Sequence, residues 1–209
     1  MFLLKTTLIT SEVDFEATGK HAGYLRVPHS VHRSAYGWIP VPVVSIQNGS
    51  GPTLVIMAGN HGDEYEGQIA VSNLARDLEA QDIRGRLILL PTANAPAAQA
   101  GLRTSPVDDG NLNRLFPGDA LGSPSEMIAH YIETVLMPLA TTRLICTQAE
   151  VRCFIRRRCC ADRDIAQKIL TRCNGSKRRS ISLMHGCSPA AVGVTAPHVP
   201  RWELQTVTA

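Results

Sequence analysis

The sequence predicts an α/β fold: a parallel or mixed sheet flanked by helices over residues 1–140, then a basic tail over 141–209 that forms no domain. Three observations carry this expectation. Two short, continuously apolar runs, Leu54–Met57 and Leu87–Leu90, bracket a stretch of helical periodicity, as in a βαβ unit whose strands are buried on both faces. A second helical pattern follows up to Leu139. The composition then changes: residues 1–140 hold 9 Lys+Arg against 14 Asp+Glu (net −5), whereas residues 141–209 hold 12 against 4 (net +8) and all six cysteines. Halves so unlike are two domains, a domain and a tail, or a chain whose coding has changed midway.

A length of 209 residues suffices for one domain with a sizeable core. No apolar run reaches membrane length. The start, Met1–Thr10, has an apolar patch but neither a basic n-region nor a small-residue cleavage site, so a cytoplasmic N-terminus is expected.

The elements follow in order. Residues 10–36 are polar and offer a short strand at Tyr24–Val27; His29 and His32 lie three apart, with no pattern placing them on one face, and read as solvated loop residues. Trp38–Ile46 reads as a strand interrupted by Pro40 and Pro42, which suggests an edge position. Asn48–Pro52 is a turn by residue type, and it leads into the central strand, 53–58. Ala70, Val71, Leu74, Ala75 and Leu78 then recur at helical spacing, giving a helix to about residue 80. After the strand at 87–90, residues 92–123 are rich in Gly, Pro, Asn and Asp and form a long irregular excursion, of a length that usually signals function or disorder. Ser123-Pro-Ser-Glu126 starts the next helix, whose apolar face is Ile128, Tyr131, Ile132, Val135, Leu136 and Leu139. The alternation then calls for another buried strand.

Chemistry concentrates where the central strand ends. Gly59 breaks the apolar run, and His61 and Glu64 follow three residues apart where the helix begins. Ligands bind at the carboxyl ends of strands in open α/β sheets. An imidazole nitrogen and a carboxylate oxygen at this spacing can face one ion, and both suit Zn2+. The same residues also fit a polar turn in which Asp63 and Glu64 cap the helix against its dipole.

Several spaced motifs together are more specific than any one. Gly59-Asn-His-Gly-Asp-Glu-Tyr-Glu-Gly67, Asn94-Ala-Pro, Gly101-Leu-Arg103 and Asp109-Gly-Asn-Leu-Asn-Arg-Leu-Phe-Pro-Gly118 resemble the succinylglutamate desuccinylase and aspartoacylase family. Tyr24-Leu-Arg-Val-Pro-His-Ser and Ala129-His-Tyr-Ile resemble its N-acetyl-diaminobutyrate deacetylase branch. The likeness covers about residues 15–140. It implies an incomplete zinc-carboxypeptidase-like fold, one Zn2+ held by His61 and Glu64, and hydrolysis of an amide bond in a small N-acyl amino acid. By the same resemblance Arg103, Asn113 and Arg114 are substrate-binding. A planar guanidinium can clamp a carboxylate in bidentate fashion, and an Asn can orient an amide; a solvated Arg103 and turn chemistry at Asn113 and Arg114 are the plain alternatives.

The family's chemistry also needs a third zinc ligand, a His in a strand of the type Asp-Leu-His-Ser-Gly-Gly soon after the helix ending near Leu139, and later a general-base Glu. This chain has neither in place, and after Ala140 no His occurs before His185. The genetic code suggests why. When codons Leu144 to Glu150 are read one nucleotide back, they permit Asp-Leu-His-Ser-Gly-Gly, and Thr141 and Thr142 permit Asp-Tyr before it. Third bases are free, so each match is permitted without being forced. A single-nucleotide deletion near codon 140 is therefore expected, with an unstructured or poorly packed out-of-frame tail and an inactive protein as written. The competing reading is a non-catalytic truncated product with a basic, Cys-rich tail. The cysteines contain no C-x-x-C pair for a metal site. The basic runs Arg156–Arg158 and Lys177–Arg179 lack the interleaved aromatics of a nucleic-acid surface, so neither nucleic acid nor membrane is expected as a partner.

Overall fold

The computed structural model of the chain describes residues 7–32, 37–146, 151–155 and 182–185, from residue 143 on as backbone alone. Its frame is a mixed sheet of β1 Thr10–Ser11, β2 Gly19–Pro28, β3 Trp38–Asn48, β4 Thr53–Ala58, β5 Gly85–Leu90, β6 Thr142–Cys146, β7 Val151–Ile155 and β8 Ser182–His185. The order across the sheet is β1-β2-β3-β5-β4-β6-β7-β8. The helices are α1 Tyr65–Asp77, α2 Ala95–Ala100, α3 Leu112–Leu115, α4 Pro124–Tyr131 and α5 Met137–Leu139.

The βαβ unit is present: β4 and β5 run parallel, with Leu54 opposite Leu87 and Met57 opposite Leu90. Every residue of β4 is buried. Alternation divides these residues between two faces. Val55, Met57, Ile88 and Leu90 pack in one cluster with Ile128, Tyr131, Ile132 and Leu136. Leu54, Ile56, Leu87 and Leu89 pack in another with Val71, Leu74 and Leu78. Unbroken apolar runs thus satisfy a helix layer on each side. The strand expected after the second helix is β6, parallel to β4 on its other flank.

The structure refines the sequence reading at five places. β2 extends well beyond Tyr24–Val27, because all ten of its residues pair with β3; cross-strand pairing carries its polar half. β3 is not at an edge but lies between β2 and β5. A proline nitrogen offers no ladder hydrogen bond, and β5 begins to pair only at Val44, leaving Pro40 and Pro42 on an uncovered flank. α1 ends at Asp77, and a single 3-10 turn at Ala80–Asp82 follows. The 92–123 excursion contains two short helices. In α2 the Asn94 side chain accepts from the Ala97 N–H, Pro96 lies in the first turn, and Gly101 closes the helix with a left-handed φ of 65°. The last helix starts at Pro124 behind the Ser123 cap, as expected, but passes through a π turn at Ile132–Leu136 into α5. Pro138 cannot donate to Thr134 and its ring crowds that carbonyl, and widening the preceding turn relieves the conflict.

The tail expectation falls mainly outside the described residues, as does a short helix pattern at 165–170. Within that stretch β7 runs antiparallel to β6 and β8 runs parallel to β7. His32 is exposed and His29 partly buried.

Candidate functional site

Gly59, at φ +67°, turns the chain out of β4, and the Asn94 N–H bonds its carbonyl at 3.0 Å. The ends of β4 and β5 are thereby tied together. Gly62 follows and lies against α2: its N–H donates to Leu102 O at 2.8 Å, and a Cβ there would overlap the Ala97 carbonyl. Gln68, one turn into α1, donates to the carbonyls of Gly62 and Glu64 at 3.0 and 3.1 Å. These contacts fix the His61–Glu64 turn from three sides.

On that turn His61 is 5 % exposed, and its Nδ1 lies 2.8 Å from Glu64 Oε1. Glu64 occupies the N-cap position of α1, yet its side chain makes no cap hydrogen bond. Its carboxylate is spent on His61 instead. The capping alternative fails for Glu64, and imidazole and carboxylate converge on one point. At the other edge of the ring, Nε2 is 3.1 Å from Asn111 Oδ1 and 3.3 Å from Asn113 Nδ2. Asn111 Oδ1 also accepts from the Asn113 backbone N–H, which identifies it as the oxygen. Nε2 therefore has an acceptor and a donor beside it. Protonated on Nε2, the ring donates a hydrogen bond to Asn111 Oδ1 and leaves Nδ1 as the electron-pair donor beside Glu64.

Of the remaining predicted residues, Arg103 places Nη1 3.5 Å from Glu64 Oε1, with 59 % of its side chain exposed. Asn113 also accepts from Asn60 Nδ2 at 2.6 Å. Arg114 is exposed on α3, and its backbone N–H bonds Asn111 O. His61, Glu64, Arg103 and Asn113 thus share one neighbourhood, with Arg114 next in sequence to Asn113. The sequence reading assigned no role to Asn111, Asn60 and Gln68. Asn111 had a readable signal, a residue type suited to cap α3, but its contact with His61 spans 50 residues. Among the described residues no group of three or more His, Cys, Asp or Glu could hold a metal. The His61–Glu64 pair fits two of the three protein donors that a catalytic zinc takes.

Residues 50–144 match the succinylglutamate desuccinylase/aspartoacylase catalytic domain, and the mixed sheet flanked by helices matches that family's fold. Particular relatives are similar over the same region. The chain is 50 % identical over 132 residues to the N-alpha-acetyl-L-2,4-diaminobutyric acid deacetylase of Halomonas elongata, a stretch that is 63 % of this chain and 39 % of that protein. The product-bound ectoine utilization protein EutE of Ruegeria pomeroyi is 44 % identical with a TM-score of 0.66, over 67 % of this chain and 43 % of that one. A succinylglutamate desuccinylase/aspartoacylase from Rhodobacter sphaeroides is 46 % identical with a TM-score of 0.64, over 66 % and 42 %. The chain therefore spans less than half the length of these relatives.

Proposed function

We propose that this chain is the N-terminal part of a zinc-dependent hydrolase that cleaves the amide bond of an N-acyl amino acid, and that as written it lacks the parts needed for turnover. The observation that carries the reading is the convergence of His61 Nδ1 and Glu64 Oε1, 2.8 Å apart at the carboxyl end of the central parallel strand. The two residues would hold one Zn2+. When bound, the ion would supply Lewis-acid polarisation of the amide carbonyl and of the attacking water. Asn111 orients the imidazole. Arg103 and Arg114 would hold the substrate carboxylate, and Asn113 would orient the amide. The similarity to a diaminobutyric acid deacetylase favours a small acylated diamino acid as substrate.

The missing third ligand is the reason to expect inactivity, and a one-nucleotide deletion near codon 140 accounts for it. The register of β6 supports this. Its last residue, Cys146, pairs with Ala58, three residues before His61. In the restored frame the His codon that the sequence permits would fall at position 147, directly after Cys146. That position lies outside the described residues. A donor there would follow the strand beside β4 at the end that carries His61.

The test compares purified protein from the two frames for zinc content and for release of free amine from N-acetyl-diaminobutyrate and related acyl-amino acids. The chain as written should bind zinc weakly and release no amine. Restoring one nucleotide should rescue both properties, and His61→Ala should abolish the rescue. Hydrolysis by the unrepaired chain would overturn the ligand assignment.

A further inference from the structure

We propose that Asp108 is a positioning residue for the His61 site, clamping the Ser105–Gly110 turn onto the first turn of α4 and so holding Asn111 and Asn113 against the imidazole. The functional consequence rests on the reading of His61 as a metal ligand; the clamp itself does not. Asp108 Oδ2 accepts from the Ser125 N–H at 2.7 Å, and Oδ1 accepts from Ser125 Oγ at 2.8 Å and from the Gly110 N–H at 3.1 Å. Ser125 is 1 % exposed and Ser105 fully buried, so the carboxylate lies against the interior. Its charge also faces the positive end of the helix dipole. Glu126 reaches back to the Ser123 N–H, leaving the Ser125 N–H for a partner from elsewhere in the chain.

The turn needs an outside hold. Asp109 sits at φ +54°, a left-handed conformation that costs a residue with a side chain and persists where the surroundings impose it. Gly110 has no room for a Cβ against Ser125. Its carbonyl accepts from the Ser105 N–H at 3.0 Å and from Asn94 Nδ2 at 3.5 Å. The next residue is Asn111, whose Oδ1 touches His61. The carboxylate that fixes Gly110 on α4 therefore sets the position of both asparagines.

The test uses the full chain, metal-free, and reads the ring nitrogen resonances of His61 by NMR, assigned by difference from the His61→Gln chain. Asp108→Ala should move them toward those of exposed His32, with the far-UV circular dichroism retained. Asp108→Asn, which keeps one acceptor for Ser125, should lie between. In the frame-restored chain the Ala variant should bind Zn2+ about tenfold more weakly, the scale on which partners of metal ligands act. A folded Ala variant with unchanged His61 resonances would overturn the proposal, since a purely structural role lowers stability without moving them. If the Ala variant does not fold, Ser125→Ala removes only the Oγ bond and must shift the resonances in the same direction, or the proposal fails. Shifted resonances in a frame-restored chain that binds no zinc would reject the metal reading and leave the clamp standing. Zinc binding with unresponsive resonances would do the reverse.

Discussion

Gly62→Ala is the sharpest probe of how the site is held. A Cβ at this position would lie closer than 3.0 Å to the Ala97 carbonyl and the Ala98 nitrogen, all backbone atoms of α2. Backbone cannot swing aside as a side chain can, so α2 or the His61–Glu64 turn must move. Overpacking of this kind costs about 1–3 kcal/mol. The movement also breaks the 2.8 Å bond from the Gly62 N–H to Leu102 O, which adds about 1 kcal/mol. The sum, roughly 2–4 kcal/mol, should lower Tm by about 4–16 °C for a chain of this size. Gly49→Ala is the control: at φ +64° with nothing within 4 Å of its Cβ, it meets backbone strain alone, about 1–2 kcal/mol. Paired thermal or urea melts measure both. A Gly62→Ala chain that melts within about 1 °C of the parent, below the shift of even a 1 kcal/mol change, would refute the packing argument. Because Gly62 adjoins His61, the variant should also disturb the His61 ring resonances, and Gly49→Ala should not.

Other expectations concern charge and core. Burial pushes the Asp108 carboxyl up, but the bonds from Ser125, Ser105 and Gly110 outweigh it, so its pKa lies below the ordinary carboxylate value. A depressed folded pKa gives stability that is full above the unfolded value of about 3.9 and fades as pH falls through the folded value. The stability gap between parent and Asp108→Asn in urea melts should therefore be constant from pH 7 to about 5 and close in stronger acid; a gap that widens there would reject the assignment. Leu90→Ala, at a fully buried position, should cost about 2–5 kcal/mol. Ile69→Ala, 60 % exposed on α1, should stay within about 0.5 kcal/mol. Gln68→Ala, removing the staple across the 61–64 turn, should lower stability by about 1–2 kcal/mol and weaken zinc binding by the frame-restored chain, read by calorimetry.

The legible parts of this fold are those whose signal is local. β4 and β5 show as apolar runs because both faces are covered, and α4 shows through its N-terminal Ser-Pro-Ser-Glu pattern. β3 was misread because its prolines do indicate an unpaired flank, but only up to Val44, where β5 joins; that depends on a strand more than 40 residues away. α2 spans six residues, too few for periodicity. Its caps, Asn94 and Gly101, were the readable signs. The His61–Glu64 pair was suggested by its spacing together with the family resemblance, whereas Asn111 and Asn60 reach the site through contacts spanning about 50 residues. No sequence period encodes such contacts. The resemblance supplied Arg103, Asn113 and Arg114, and the structure brings the first two to the pair.

The contacts of Glu64 and His61 decide what each tautomer of the ring can do. A buried carboxylate without a partner is costly, yet Glu64, with a side chain 13 % exposed, has His61 Nδ1 at 2.8 Å and the Arg103 guanidinium at 3.5 Å. With the proton on Nδ1, His61 donates to Glu64 and its Nε2 can accept from Asn113; with the proton on Nε2, it donates to Asn111 and Nδ1 is free for an ion. The second arrangement serves a metal and the first does not need one. Only the first arrangement puts a proton between Nδ1 and Glu64 Oε1; in the second, two electron-pair donors face each other at 2.8 Å and call for a cation. On the proposed reading, a chain lacking a donor after β6 would lose zinc affinity while the pair protonated on Nδ1 keeps its local geometry. Restoring that donor requires no rebuilding of the first two, which is why a single nucleotide should suffice to recover zinc binding.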